Sequence, residues 1–324
     1  MPRFKNYIPH GVIPAALLAF DDDYSIDEKN SRKHLADVAS TVGITALTTN
    51  AHSSEVHACS FEEQQRILDF TMDEIGDKVP VINGIYADGS RNAARLAKMA
   101  TAGGASALLV FPPHSIGQGN GQMRPEMAVS HFKTIADATD LPIIAFQYPF
   151  SIGYGYPLDT LLKIADAVPS LKAIKDGCYD ATAHERHIHV LQSLSRPVNV
   201  LSTHSPWLMA SLTMGCNGLL SGSGSIIADL HVALWRAVQD KDLARAQRIN
   251  DRIYPTAQCF YAAPRVDMHN RMKEALVMLG RLPKAVVRPP LAKITEPELA
   301  LIRKAITEAG LTREGASILR AAAE

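Results

Sequence analysis

The sequence predicts a parallel (β/α)8 barrel with a C-terminal helical extension. Three observations predict it: eight short apolar runs, amphipathic stretches between them, and no break long enough to separate two domains. The chain has 324 residues, 47% hydrophobic and 20% charged, an ordinary balance that can bury a full core. A β/α barrel commonly uses roughly 250 residues as one domain. The reading is therefore one domain over 1–324, with the barrel at about 11–240, helices at about 241–311 and a polar tail at 312–324.

The expected strands are Val12–Phe20, Ile44–Thr49, Val79–Tyr86, Ala107–Phe111, Pro142–Tyr148, Leu171–Lys175, Val198–Ser202 and Gly218–Ser221. Their continuous apolar character suits strands buried on both faces. Between them, Arg91–Ala102 carries an apolar face at Ala93, Leu96, Ala97 and Ala100, with Ser90 as expected N-cap and Gly103-Gly104 as stop. Pro157–Val168 and Pro206–Met214 each place a proline near a first helical turn. After the eighth strand come helical patterns at Ile227–Gln239, Asp242–Tyr261, Arg265–Gly280 and Glu296–Ala309, with Arg288-Pro289-Pro290 breaking the last interval.

Lys plus Arg equal Asp plus Glu at 33 each, so nothing suggests a polyanionic partner, and nucleic acid is not expected. Cys59, Cys178, Cys216 and Cys259 form no C-x-x-C pair and read as free thiols in a reducing compartment. The apolar run Gly11–Phe20 imitates a signal peptide, but Pro14 interrupts it and Asp21-Asp22-Asp23 follows it, so a buried first strand is the better reading. No apolar stretch approaches the roughly 20 residues that span a bilayer. The expectation is a cytoplasmic protein without a membrane partner.

In such barrels the active site lies at the C-terminal ends of the strands. Lys175 stands out there, in Leu171-Lys172-Ala173-Ile174-Lys175-Asp176-Gly177. Strict alternation puts it on the same side as Ala173 and Leu171, the lumen side. A lysine in a crowded lumen loses hydration and its pKa falls, and a neutral amine is what attacks a carbonyl. A surface lysine at a strand end fits the same pattern about as well. The histidines His52, His57, His114 and His204 gather at the expected mouth and suit proton transfer near neutral pH. They come from separate loops without helical metal-ligand spacing, so no metal or other cofactor is expected. His187 and His189 lie in the helix after the sixth strand and are set aside. Gly215–Gly224 lacks the G-x-x-x-x-G-K-[ST] phosphate pattern. Phe260, Tyr261 and Trp235 read as packing.

The strand LKAIKDG resembles the Schiff-base strand of the dihydrodipicolinate synthase/N-acetylneuraminate lyase family. The resemblance runs from Gly11 to about Leu311. Ala51-His52-Ser53-Ser54-Glu55, followed by Glu62-Glu63, resembles the family's G-T-T-G-E loop. Ala102-Gly103-Gly104-Ala105, Val110-Phe111-Pro112-Pro113 and Val287-Arg288-Pro289-Pro290-Leu291 resemble further segments in order. The resemblance implies that Lys175 forms the imine. It implies that the loop with His52, Ser53 and Ser54 binds the carboxylate of a 2-oxo acid, and that Leu220 and Gly222 pack around it. Two departures matter. Phe146 stands where the family has a proton-relaying Tyr, leaving His114, His52 or Tyr148 to rebuild the relay. Ser151 and His204-Ser205 stand where the lysine-biosynthesis and sialic-acid branches carry an Arg and an acidic pair, so neither activity is expected; His204 becomes a substrate-contact candidate, with Phe146.

The expected function is a class I lyase on pyruvate or a related keto acid, by aldol cleavage or condensation. The alternatives are dehydration of a 2-keto-3-deoxy sugar acid through the same imine, or a non-catalytic keto-acid sensor. The resemblance further implies a homo-oligomer, commonly a tetramer. The helices from Asp242 to Gly280 offer Tyr254, Phe260, Tyr261 and Met272 to a partner or to the barrel.

Overall fold

The computed structural model describes residues 3–114 and 124–316. Eight parallel strands follow one another around the barrel: β1 (Gly11–Pro14), β2 (Leu47–Thr49), β3 (Val81–Ile85), β4 (Ala107–Val110), β5 (Ile143–Gln147), β6 (Leu171–Asp176), β7 (Asn199–Ser202) and β8 (Gly218–Ser221). From β2 to β8 each strand pairs with its sequence neighbour, and β8 pairs with β1. Bridges from Val12 to Ile44 and from Ala15 to Thr48 join β1 to β2 and close the ring. The (β/α)8 architecture expected from the eight apolar runs is the architecture observed.

Helices α1 (Glu28–Ala39), α2 (Phe61–Ile75), α3 (Ser90–Ala102), α4 (Pro125–Ala136), α5 (Leu158–Ala167), α6 (Ala181–Leu191), α7 (Leu208–Thr213) and α8 (Gly224–Gln239) surround the strands. The extension is α9 (Leu243–Phe260), α10 (Met268–Met278) and α11 (Glu296–Glu308), followed by a small hairpin of Leu311–Thr312 with Gly315–Ala316. Residues 317–324 of the expected tail lie outside the described residues.

Two apolar layers result from the strand alternation. One lies between strands and helices and includes Val12, Leu47, Val81, Leu108, Ile143 and Ile174. The other fills the lumen with Ile13, Ala46, Ile82, Leu109, Ile144, Ala173, Leu201 and Leu220. The barrel is thus a packed core, and its chemistry is confined to its ends.

Some expectations require correction. Strand β1 ends at Pro14, well before Phe20. Ser90 does not cap α3: the N-cap is Gly89, and the Ser90 hydroxyl instead lies 2.9 Å from Nδ1 of His131. Leu171 does not share the lumen face with Ala173. Ile143 pairs with Leu171 while Ile144 pairs with Ala173, an irregularity that takes up Lys172. Leu171 therefore joins the outer layer while Ala173 faces inward. Phe260 and Met272 are fully buried, so most of the apolar load of the extension packs on its own chain; Tyr254 is 57% exposed.

Candidate active site

Past the irregularity, Lys175 at the end of β6 follows Ala173 to the lumen side. It is 6% exposed, and its Nζ sits 4.1 Å from the centre of the Phe146 ring on β5. Burial alone lowers its pKa from 10.5 to about 7. The ring face favours the charged amine, but loss of water outweighs it. A substantial fraction is therefore neutral and nucleophilic near neutral pH.

The loop after β2 comes next to the lysine because the backbone approaches β3 closely. A Cβ on Gly84 would fall 1.8 Å from the Asn50 carbonyl oxygen, so only glycine fits there. Asn50 adopts a left-handed conformation and its side chain donates to the Gln64 carbonyl and to Oδ1 of Asn83. A tight turn then carries His52, Ser53 and Ser54. The Ser54 hydroxyl is occupied, donating to the Ala16 carbonyl at 3.0 Å, so its side chain shapes the loop. Ser53 differs. It is 2% exposed and its Oγ has no partner among the described residues.

The loop is held from below by Glu55, also left-handed. Its carboxylate pairs with buried Lys273 of α10 and accepts from the Arg288 backbone N–H at 2.9 Å. Lys273 donates further to the Val286 carbonyl, and the Arg288 side chain grips both Glu63 oxygens and the Ala58 carbonyl. The Val287–Leu291 segment, distant in sequence, thereby fixes the loop that carries Ser53.

Aromatic and imidazole rings crowd above Lys175. Phe146 lies 4.2 Å from Tyr148 and 5.3 Å from Phe111, centre to centre. His52 lies 4.7 Å from Phe111, and its ring nitrogens are 3.2 and 3.3 Å from the Tyr148 hydroxyl. Burial, aided by the nearby Lys175, holds His52 well below its ordinary value, so it is neutral. Burial likewise raises the Tyr148 phenol, which keeps its proton. A second phenol–imidazole pair stands beside the first, with the Tyr86 hydroxyl 2.8 Å from Nδ1 of His114. Asp88 fixes His114 by accepting its backbone N–H at 2.7 Å. Tyr154, unremarked in the sequence, packs on both His114 and Tyr148.

His204 is not part of this group. Its ring stacks on Trp207 at 4.2 Å and faces Asp176 and Cys178. Residues alternate along a strand, so Asp176 points away from the lumen that receives Lys175. Asp176 is fully buried and accepts from Nδ1 of His184 at 2.9 Å and of His187 at 2.7 Å. Burial raises its carboxyl, the two imidazoles lower it, and the net shift is downward. Two overlapping trios, Asp176–Cys178–His187 and Asp176–His184–His204, have donor atoms within 4.8 Å of one another and are the described residues best able to hold a metal. In this structure His184 and His187 are held by Asp176, while Nδ1 of His204 is buried without a partner among the described residues. His187, set aside in the sequence, belongs here.

Leu220 is a lumen core residue, 0% exposed. Gly222 lies against the Ser53 loop, and a Cβ there would meet Ser53 Cβ at 3.8 Å and His269 Nε2 at 3.2 Å. Tyr261 does more than pack: its hydroxyl accepts from the Ser223 N–H at 3.3 Å and lies 3.4 Å from Ser221 Oγ. His269 and Tyr261 come from the extension, where sequence periodicity reads only an apolar face.

A parallel barrel with a desolvated lysine at a strand end fits an enzyme of the lyase class, and the relatives of the chain are named as synthases and aldolases. The chain belongs to the dihydrodipicolinate synthetase family, whose model matches residues 8–309. A 4-hydroxy-tetrahydrodipicolinate synthase of Nitrobacter hamburgensis is 30% identical over 270 residues, covering 83% of this chain and 86% of that protein. A putative 2-dehydro-3-deoxy-D-gluconate aldolase, YagE, of Escherichia coli is 26% identical over 297 residues, covering 90% and 94%. The structure of YagE in complex with pyruvate superimposes with a TM-score of 0.85 at 23% identity, covering 93% of this chain and 98% of that one. No helix among the described residues is long and apolar enough to cross a membrane.

Proposed function

We propose that this protein is a class I lyase that forms an imine between Lys175 and a 2-oxo acid, pyruvate or a close relative, and makes or breaks a carbon–carbon bond beside it. The observation that carries this reading is the buried lysine in the lumen, whose amine burial brings to about 7. The neutral amine attacks the 2-oxo carbon, and water leaves after proton transfer to the carbonyl oxygen. As the 4-hydroxyl of the bound substrate gives up its proton, the C3–C4 bond breaks and its electron pair flows through C3–C2 to the iminium nitrogen, leaving an enamine; the reverse flow forms the bond. One relative, YagE, named as a putative 2-dehydro-3-deoxy-D-gluconate aldolase and solved in complex with pyruvate, supports the same substrate class.

Phe146 cannot carry a proton, so the relay falls to the phenol–imidazole pairs Tyr148–His52 and Tyr86–His114. Each combines a phenol that keeps its proton with an imidazole held neutral by burial, and can pass a proton in either direction. Ser53, with a free hydroxyl, binds the substrate carboxylate. The chemistry requires no metal, because the iminium itself withdraws electrons. Assaying a panel of 4-hydroxy-2-oxo acids for pyruvate release and for loss of water tests the assignment. Pyruvate release fits it; water loss without pyruvate would make the enzyme a dehydratase.

A further inference from the structure

We infer that His269, on the C-terminal helix α10, is a substrate-binding residue whose ring N–H donates to the carboxylate of the 2-oxo acid. The inference rests on the Lys175 reading and adds a residue that the barrel strands do not supply. His269 is 8% exposed, and none of the hydrogen bonds found among the described residues involves its ring. A buried imidazole without a partner is costly, so its polar edge is expected to serve a ligand.

The surroundings say which ligand. Nε2 of His269 and Cβ of Ser53 both lie within 3.8 Å of the point where a Gly222 side chain would begin. Glycine at 222 leaves that point empty. Ser53 brings to it a hydroxyl that is buried and unpartnered among the described residues. Lys175 and Lys273 lie close enough for their charges to act on His269. Two neutral donors, an absent side chain and nearby positive charge suit an anion such as a carboxylate. Lys273 gives two of its three N–H donors to Glu55 and Val286 and supplies positive charge nearby. Burial and the two lysines push His269 down to about 3, so the imidazole is neutral with one N–H to give. Its neighbours on the same helix turn, Asn270 and Lys273, are tied to Ala292 and Glu55, which fixes the ring in place.

Borohydride trapping of the imine at varied concentrations of pyruvate and of acetone, which lacks the carboxylate, tests this. A hydrogen bond to a charged group is worth about ten- to a hundredfold in affinity. His269→Ala should raise the pyruvate concentration for half-maximal trapping by that factor and leave acetone trapping unchanged. His269→Gln, which restores an N–H donor, should recover much of the loss. Equal pyruvate dependence in wild type and His269→Ala overturns the inference. So does an equal loss for pyruvate and acetone, which would mark a packing role. Absence of any adduct in the wild type would instead overturn the Lys175 reading beneath it.

Discussion

Replacing Lys175 with methionine should stabilise the fold below neutral pH and lose that benefit in alkali. The buried amine has a pKa of about 7 in the fold against 10.5 when solvated. A depressed lysine holds its proton more readily unfolded, so between those values unfolding takes up protons and wild-type stability rises with pH. Below about pH 7 the lysine is charged in both states, and its burial costs the full difference. At 1.36 kcal/mol for each pKa unit, that difference is roughly 5 kcal/mol, an upper figure because water penetration relaxes buried charges. Methionine fills a similar volume without the charge. Urea unfolding of both proteins at pH 6 and pH 10 should show Lys175→Met more stable by several kcal/mol at pH 6, the gap mostly closed at pH 10. A gap independent of pH, or a less stable variant at pH 6, would refute the desolvated-lysine argument.

Three further expectations follow from the same geometry. Tyr148→Phe and His114→Ala should slow turnover by about 10²–10⁴-fold while leaving substrate half-saturation nearly unchanged, because a relay acts in the transition state; steady-state kinetics with both rates intact would remove these pairs from the mechanism. Lys273→Met leaves Glu55 buried without its cation and should cost about 3–5 kcal/mol in urea unfolding, with Glu55→Gln/Lys273→Met recovering part; a single variant as stable as wild type would mean the pair does not hold the loop. Sedimentation should show a species heavier than the 35.2 kDa chain, since Tyr254 and Leu301 remain 57% and 59% exposed on the extension; a monomer at micromolar concentration would contradict it.

The barrel was legible because each strand is a short apolar run closed by turn residues, and eight such runs have few other ways to bury both faces. Lys175 was legible from its strand, yet strict alternation misplaced Leu171. An irregularity at Lys172 leaves no trace in composition, because lysine suits an outward step as well as a regular pleat. The two phenol–imidazole pairs drew on strand ends that the barrel geometry already singled out. His204 lies apart from the rings around Lys175, and position after a strand does not say which way a ring turns. Asp176 and Trp207 draw it outward. His269 and Tyr261 were hidden for a different reason. They reach the site from helices late in the chain, and convergence over long sequence separation has no periodic signature. The Arg288 grip on Glu63 is of the same kind, although the Arg-Pro-Pro segment itself was noticed.

The central claim is tested most directly by reducing the protein with borohydride in the presence of pyruvate and mapping the modified peptide. Borohydride turns an imine into an amine that no longer hydrolyses, so the attachment point survives digestion. The account predicts one pyruvate-derived adduct on Lys175, absent from Lys175→Ala along with turnover. No adduct, or an adduct on Lys172, would contradict it.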